Sequence, residues 1–271
     1  MTKPGLISVI VATHAWPEAL AAVLRSLANQ TDTRFEIVVA EDGADDRTRA
    51  VIKDSGLPVI HTQQQYIGFR AAAARNRGIL ACHGDYCIFL DGDCIPRPRF
   101  VERHRQLAEP GYFVAGDRAL LKRKTTECIL TRQLRPERWS VLTWAGLRLR
   151  GRVNRISPMI SLPVWRARQQ TLRRRGRFQT HNLGVWRGDL DLIDGFDESY
   201  VGWGYEDDDL GARLLHAGVR PKDGRLATGV LHLWHESAFA AANRLLFNET
   251  LKQRRTRAVI GLSTADAVTR K

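Results

Sequence analysis

Within the first 120 residues, short β-branched runs alternate with segments of helical periodicity, and two of those runs stop on acids. Leu6 to Ala12 reads as a buried strand. Pro17 suits the first turn of a following helix, with Leu20, Val23, Leu24 and Leu27 along one face. Phe35 to Ala40 is a second strand, ending in Glu41-Asp42-Gly43, and Val59 to His61 is a short third. Phe69 to Cys82 is rich in Ala and Arg and helical. Tyr86 to Leu90 is another buried strand, and it ends on Asp91-Gly92-Asp93. This order predicts an α/β fold with a mostly parallel central sheet flanked by helices. In such sheets ligands bind at the carboxyl ends of the strands, so both acidic clusters are expected at one site.

From about 121 to 180 the periodicity fades. Arginines, prolines and Trp139, Trp144 and Trp165 are interspersed, as in an elaborated region. Asn182 to Trp186 resumes a strand, Glu206 to His216 reads as a helix stopped by Gly218, and Val230 to Trp234 reads as a strand. A helix is expected from Ala238 onward, through Asn243-Arg244-Leu245-Leu246-Phe247, ahead of a basic end. The expected division is 1–120, 121–180, 181–236 and 237–271.

The net charge of +13 is local rather than general. Arg118 to Arg187 carries eighteen Lys and Arg against two acids, Glu127 and Glu137. Such a field attracts phosphate-bearing partners or an anionic membrane surface. It would also suit a single-stranded nucleic acid, but no recognised binding module accompanies it and the acidic clusters would repel a phosphate backbone, so no nucleic-acid partner is expected. No apolar run approaches the roughly 20 residues of a membrane helix, and Met1-Thr2-Lys3-Pro4-Gly5 does not read as a signal peptide, so a cytoplasmic location is expected. The four cysteines show no CxxC pair and no zinc spacing, and read as buried reduced thiols.

Three motifs carry chemistry. The two carboxylates of Asp91-Gly92-Asp93 can converge on a divalent cation and a ribose hydroxyl, and Gly92 lets the backbone approach a ligand closely. In Trp203-Gly204-Tyr205-Glu206-Asp207-Asp208-Asp209, capping and solvation explain one or two acids but not four in a row. Crowded carboxylates raise one another's pKa, which makes one of them a usable general base, and Trp203 offers a flat platform for a sugar ring. In His232-Leu233-Trp234-His235, strand alternation sets His235 opposite His232, and His232 could complete a metal site with Asp93.

Ser8-Val9-Ile10-Val11, Glu41-Asp42-Gly43-Ala44-Asp45-Asp46, Ala74-Arg75-Asn76-Arg77-Gly78 and Phe89-Leu90-Asp91-Gly92-Asp93 together resemble the family 2 glycosyltransferases of the GT-A fold. Gly202 to Asp209 and the following His232 resemble the galactosyltransferase-type segment of animal β-1,4-galactosyltransferases and bacterial chondroitin-polymerase-like enzymes. The match covers about residues 5–118 and 180–236. It implies that Asp42 hydrogen-bonds a uracil ring, that Thr13 lines the nucleotide pocket, and that Arg70, Arg75 and Asn76 lie near the nucleotide. Asp91 with Gly92 would meet the ribose. Asp93 would bind Mn²⁺ or Mg²⁺, with His232 as second ligand and His235 in reserve. Asp207 would be the catalytic base, with Glu206 and Asp208 binding the acceptor and Trp203 stacking on it. The implied reaction is inverting transfer of a hexose or N-acetylhexosamine from a UDP-sugar to a glycan or lipid-linked glycan. Bacterial surface polysaccharide or lipopolysaccharide synthesis at the inner face of the cytoplasmic membrane would be its setting. Residues 121–180, outside the match, would shape the acceptor site. The tail around Leu245-Leu246-Phe247, Lys252, Arg254 and Arg255 would rest on the membrane or pack on the core. A relative that binds sugar nucleotide without turning it over is the remaining alternative, and intact Asp91, Asp93, Asp207 and His232 argue against it.

Overall fold

The computed structural model describes residues 3–164, 178–236 and 242–264. Trp165, the arginines that follow it, and the expected helix start at Ala238 lie outside those residues. The chain begins with β1 (Ile7–Thr13), α1 (Pro17–Leu27), β2 (Phe35–Asp42), α2 (Asp46–Asp54), β3 (Val59–Gln64), α3 (Ala71–Ala81) and β4 (Tyr86–Asp91). Pro17 opens α1, where its missing N–H costs nothing, and Leu20, Val23, Leu24 and Leu27 are buried along one face. The Asp45 carboxylate caps α2 by accepting from the Arg47 backbone N–H.

There follow β5 (Cys94–Pro96), α4 (Phe100–Leu107), β6 (Tyr112–Ala115), β7 (Arg118–Leu120), α5 (Arg123–Thr131) and α6 (Val141–Leu149). The rest comprises β8 (Asn182–Trp186), α7 (Arg187–Leu192), α8 (Glu206–His216), β9 (Arg220–Asp223), β10 (Val230–His232) and α9 (Asn243–Gln253). Seven strands form one sheet in the order β3-β2-β1-β4-β8-β6-β9. Every pairing is parallel except those of β8, which runs against both β4 and β6. Along β1, β2 and β4 the side chains alternate between two apolar clusters, one on each face. Val9, Val39 and Ile88 join one, and Ile10, Val38 and Phe89 join the other.

α3 lies unusually close to the sheet. Ala71 to Ala74 are buried, and a Cβ on Gly78 would meet Ile10 Cγ2 at 2.7 Å. Small residues thus permit the close approach that brings Arg75 to the strand ends. A second, small sheet has the order β5-β10-β7, with β10 antiparallel to β5 and parallel to β7.

Two expectations change here. Residues 121–160 hold two nine-residue helices, α5 and α6, and Ile129, Trp144, Val153 and Met159 join the same apolar cluster as β1 and α1. Strand β10 stops at His232, two residues short of Trp234, so strand alternation does not separate His235 from His232. Among the described residues no helix is long and apolar enough to cross a membrane.

Candidate active site

The carboxyl ends of β1, β2 and β4 lie side by side. Ala12 pairs with Ala40 on one flank and Asp91 on the other, and Thr13 pairs with Glu41. This register places Thr13, Asp42 and Asp91 along one edge. The Gly92 N–H donates to Ala12 O at 2.7 Å. A Cβ on Gly92 would sit 2.8 Å from Thr13 Oγ1 and 2.9 Å from Thr13 Cβ, so glycine is what lets the D-G-D turn fold back on β1.

A cavity of about 660 Å³ lies at that edge, a size suited to a small-molecule ligand. Thr13, Asp42, Arg75, Asp91, Gly92, Asp93, Trp203, Glu206, Asp207 and His235 line it. The other four expected residues do not. The Arg70 backbone N–H reaches the site indirectly, donating to Asp42 Oδ2 at 2.6 Å, while its guanidinium bonds Gln65 O. Asn76 is fully buried and ties α3 to the 196–198 loop: its Nδ2 donates to Phe196 O and Glu198 Oε1, and its Oδ1 accepts the Phe196 N–H. Asp208 is buried on α8. His232 stands behind Asp93. The cavity wall also contains His14, Arg118 and His181, which had no motif to mark them.

One guanidinium holds the acids of the two halves together. Arg75 Nη2 is 2.9 Å from Asp91 Oδ1, and its Nη1 is 3.5 Å from Glu206 Oε1 and 3.7 Å from Asp207 Oδ1. The Asp207 carboxylate is also clamped by Thr180, whose hydroxyl donates to Oδ1 at 2.5 Å and whose N–H donates to Oδ2 at 3.1 Å. Burial raises the Asp207 pKa, with Arg75 and Thr180 opposing and Asp91 adding to it. Asp209, the last acid of the run, is structural. It accepts from Arg213, Tyr200 and Thr250 in the core.

The turn into α8 is held in unusual backbone. Gly202, Gly204 and Tyr205 have φ of +82°, +110° and +71°, a conformation costly for a tyrosine. Its neighbours fix it. The Gly202 N–H donates to Phe69 O at 2.8 Å, Asn243 Nδ2 donates to Gly204 O at 2.9 Å, and the Tyr205 ring stacks on Phe247. α9 therefore packs behind this turn, and Trp203 projects at the cavity rim.

Asp93 precedes β5, and the register of β5 with β10 sets His232 opposite Cys94. His232 Nε2 lies 3.4 Å and His235 Nε2 3.1 Å from Asp93 Oδ2. Asp93 Oδ1 is buried and has no hydrogen-bond partner. An orphaned carboxylate oxygen beside two imidazoles fits a divalent cation. Burial holds the His232 pKa below its ordinary value, which keeps it neutral as a ligand must be. His235, hydrogen-bonded to Asp93, is raised to about 9, so it would have to give up a proton before it could serve as a ligand. The Cys94 thiol shares the cluster, but burial pushes its pKa well up and keeps it protonated.

Burial, and then the charge of Asp207, raises the Glu206 carboxyl from 4.5 to about 7. A carboxyl with a higher pKa folded than unfolded binds its proton more tightly in the native state. Its contribution to stability is therefore complete below about 4.5 and lost as pH rises through about 7. Glu206→Gln should flatten the decline in melting temperature that the parent shows between about pH 5 and 8. An equal slope in parent and variant, read by thermal unfolding, would contradict this assignment.

Residues 8–161 match the family model described as Glycosyl transferase family 2. The chain belongs to that family. Residues 173–236 of this family 2 chain match a second model, described as the N-terminal domain of galactosyltransferase. Validoxylamine A glucosyltransferase of Streptomyces hygroscopicus subsp. jinggangensis is 30% identical over 244 residues, covering 83% of this chain and 55% of the relative. Chondroitin synthase of Escherichia coli is 25% identical over 238 residues, covering 82% of this chain and 34% of the relative. The chain thus spans about half the length, or less, of these relatives. In structure it is similar to the mannosyltransferase PcManGT from Pyrobaculum calidifontis in complex with GDP-Man and Mn²⁺. The TM-score is 0.58 at 16% identity, over 93% of this chain and 65% of that one. Staphylococcus aureus TarS gives 0.56 at 15% identity, over 92% and 43%. The architecture is the GT-A-like α/β fold that the sequence motifs imply.

Proposed function

We propose that this family 2 chain is an inverting, metal-dependent glycosyltransferase that moves a hexose or N-acetylhexosamine from a UDP-sugar to a glycan or lipid-linked glycan acceptor. Bacterial surface polysaccharide or lipopolysaccharide synthesis is the proposed setting. One observation carries the reading. The D-G-D turn and the acidic start of α8 face one cavity, and the guanidinium of Arg75 joins them. The names of the relatives support sugar transfer. The GDP-Man and Mn²⁺ of PcManGT support a nucleotide-sugar donor and a divalent metal, and the choice of UDP rests on the sequence motifs.

In this reading Asp42 and Thr13 take the base, Asp91 takes the ribose, and Trp203 and Glu206 take the acceptor. Asp207 accepts the proton of the acceptor hydroxyl as its oxygen attacks the anomeric carbon from the face opposite the leaving diphosphate. Asp93 and His232 would hold the metal, with His235 in reserve, and a bound divalent cation supplies charge neutralisation at the diphosphate.

A panel of UDP-sugars with Mn²⁺, scored for hydrolysis and for thermal stabilisation, tests the donor. One sugar is expected to stand out in both. Chelation should abolish turnover in the parent, and Asp93→Ala should no longer respond to added metal. Full activity in EDTA would remove the metal claim. UDP stabilisation without turnover of any donor would point to a non-catalytic relative, and salt-dependent DNA binding without UDP-sugar hydrolysis to a nucleic-acid-binding protein.

A further inference from the structure

α6 exposes a strip that the active site does not use. Leu142 is 84% and Leu149 89% exposed, and Ala145 and Gly146 lie between them at helical spacing. Trp144, on the opposite side, is fully buried, so the helix is anchored and the strip faces outward. The chain on either side of α6 is cationic. Arg132, Arg135, Arg138, Arg148, Arg150 and Arg155 are all exposed. Of the two acids in this stretch, Glu127 is paired with Arg123 at 2.9 Å and Glu137 is buried.

We propose that α6 docks the protein on an anionic phospholipid bilayer, with Leu142 and Leu149 entering the boundary of the acyl region and the arginines meeting headgroup phosphates. Apolar insertion and charge attraction reinforce each other on such a surface. A nucleic acid fits less well: the large exposed apolar side chains among the arginines are the aliphatic Val141, Leu142 and Leu149, while Trp144, which could have stacked on a base, is buried. A second copy of the same face would bring like charges together. The sequence left the tail between this role and packing on the core; Phe247 and Asn243 of α9 are engaged at the turn before α8, while Leu245 stays exposed.

The inference gives the proposed lipid-linked acceptor a location, and in that sense rests on the function proposed above. Its test needs no turnover, so the two can fail separately. The full chain is sedimented with phosphatidylglycerol–phosphatidylcholine vesicles and with phosphatidylcholine vesicles alone, at low and high salt. The parent should bind the anionic vesicles, bind the neutral ones at least about tenfold more weakly, and be released by salt. Leu142→Ser/Leu149→Ser should lose about tenfold or more in vesicle affinity while keeping the parent's melting temperature and its stabilisation by UDP. Equal binding of parent and double variant overturns the proposal, as does equal binding to neutral vesicles. A change from dimer to monomer in the double variant, without any effect on vesicle binding, overturns it in favour of self-association.

Discussion

Asp207→Asn should lower sugar transfer by about 10²–10⁴-fold while leaving UDP affinity unchanged. The substitution keeps volume and keeps an oxygen that can accept from Thr180, but removes the carboxylate proposed to take the acceptor's proton. The proposed donor contacts at Asp91 and Asp42 are untouched, and Asp91 meets a different nitrogen of Arg75 from the one nearest Asp207. The pH dependence follows from the same geometry. The carboxyl must be ionised to act, and burial raises its pKa, so parent activity should climb with pH through that raised value and then level off. The residual activity of the Asn variant should lack that rising limb. Thr180→Val removes a hydroxyl that stabilises the ionised form, and should move the limb to higher pH, with Thr180→Ser restoring it. Steady-state rates across pH, with UDP binding measured beside them, decide the matter. An Asn variant as fast as the parent sinks the assignment, and one that also loses UDP would place Asp207 in the donor half.

What the sequence revealed of this site, and what it hid, has a physical pattern. β1, β2 and β4 were legible because both faces are buried, which demands continuous apolar runs, and because each run ends on residues too polar to continue inside a sheet. The acids of α8 were legible as an excess beyond what capping uses. α5 and α6 were not, since each has only nine residues and buries a narrow face. β5 and β7 are three residues long, below the length at which alternation can be counted, and β10, read from Val230 to Trp234, ends after three residues. That is why His235 was set on the wrong side of His232: the early end of β10 lets the chain turn both imidazoles toward Asp93. Asn76 sits one residue from Arg75 in the same motif, yet one turns to the 196–198 loop and the other to the cavity. Thr180 carried no signal at all, because its role exists only across the fold, 27 residues from Asp207.

The same dependence on the fold makes Arg75 a residue whose loss should cost heavily in stability. Its guanidinium is buried and its proton is held more tightly than usual by Asp207, Asp91 and Glu206, in spite of burial. Arg75→Met keeps most of the side-chain volume and leaves three carboxylates facing one another without a cation. Breaking a buried pair on one side typically costs about 3–5 kcal/mol, because the remaining charge stays desolvated. Asp91 is 29% and Asp207 22% exposed and both can regain water, so most of the cost should fall on Glu206, which is 5% exposed. The deficit should shrink as pH is lowered. Without the guanidinium the acids bind protons still more tightly in the native state than in the unfolded one, and the native state gains as those protons become available. Arg75→Lys should recover part of the stability, since one ammonium restores charge but cannot span three acceptors as the planar fork does. Urea unfolding at two pH values reads all of this. A Met variant within about 1 kcal/mol of the parent at neutral pH would mean the acids relax into water when the cation is gone, and Arg75 would then be a donor-site contact rather than the bond between the two halves.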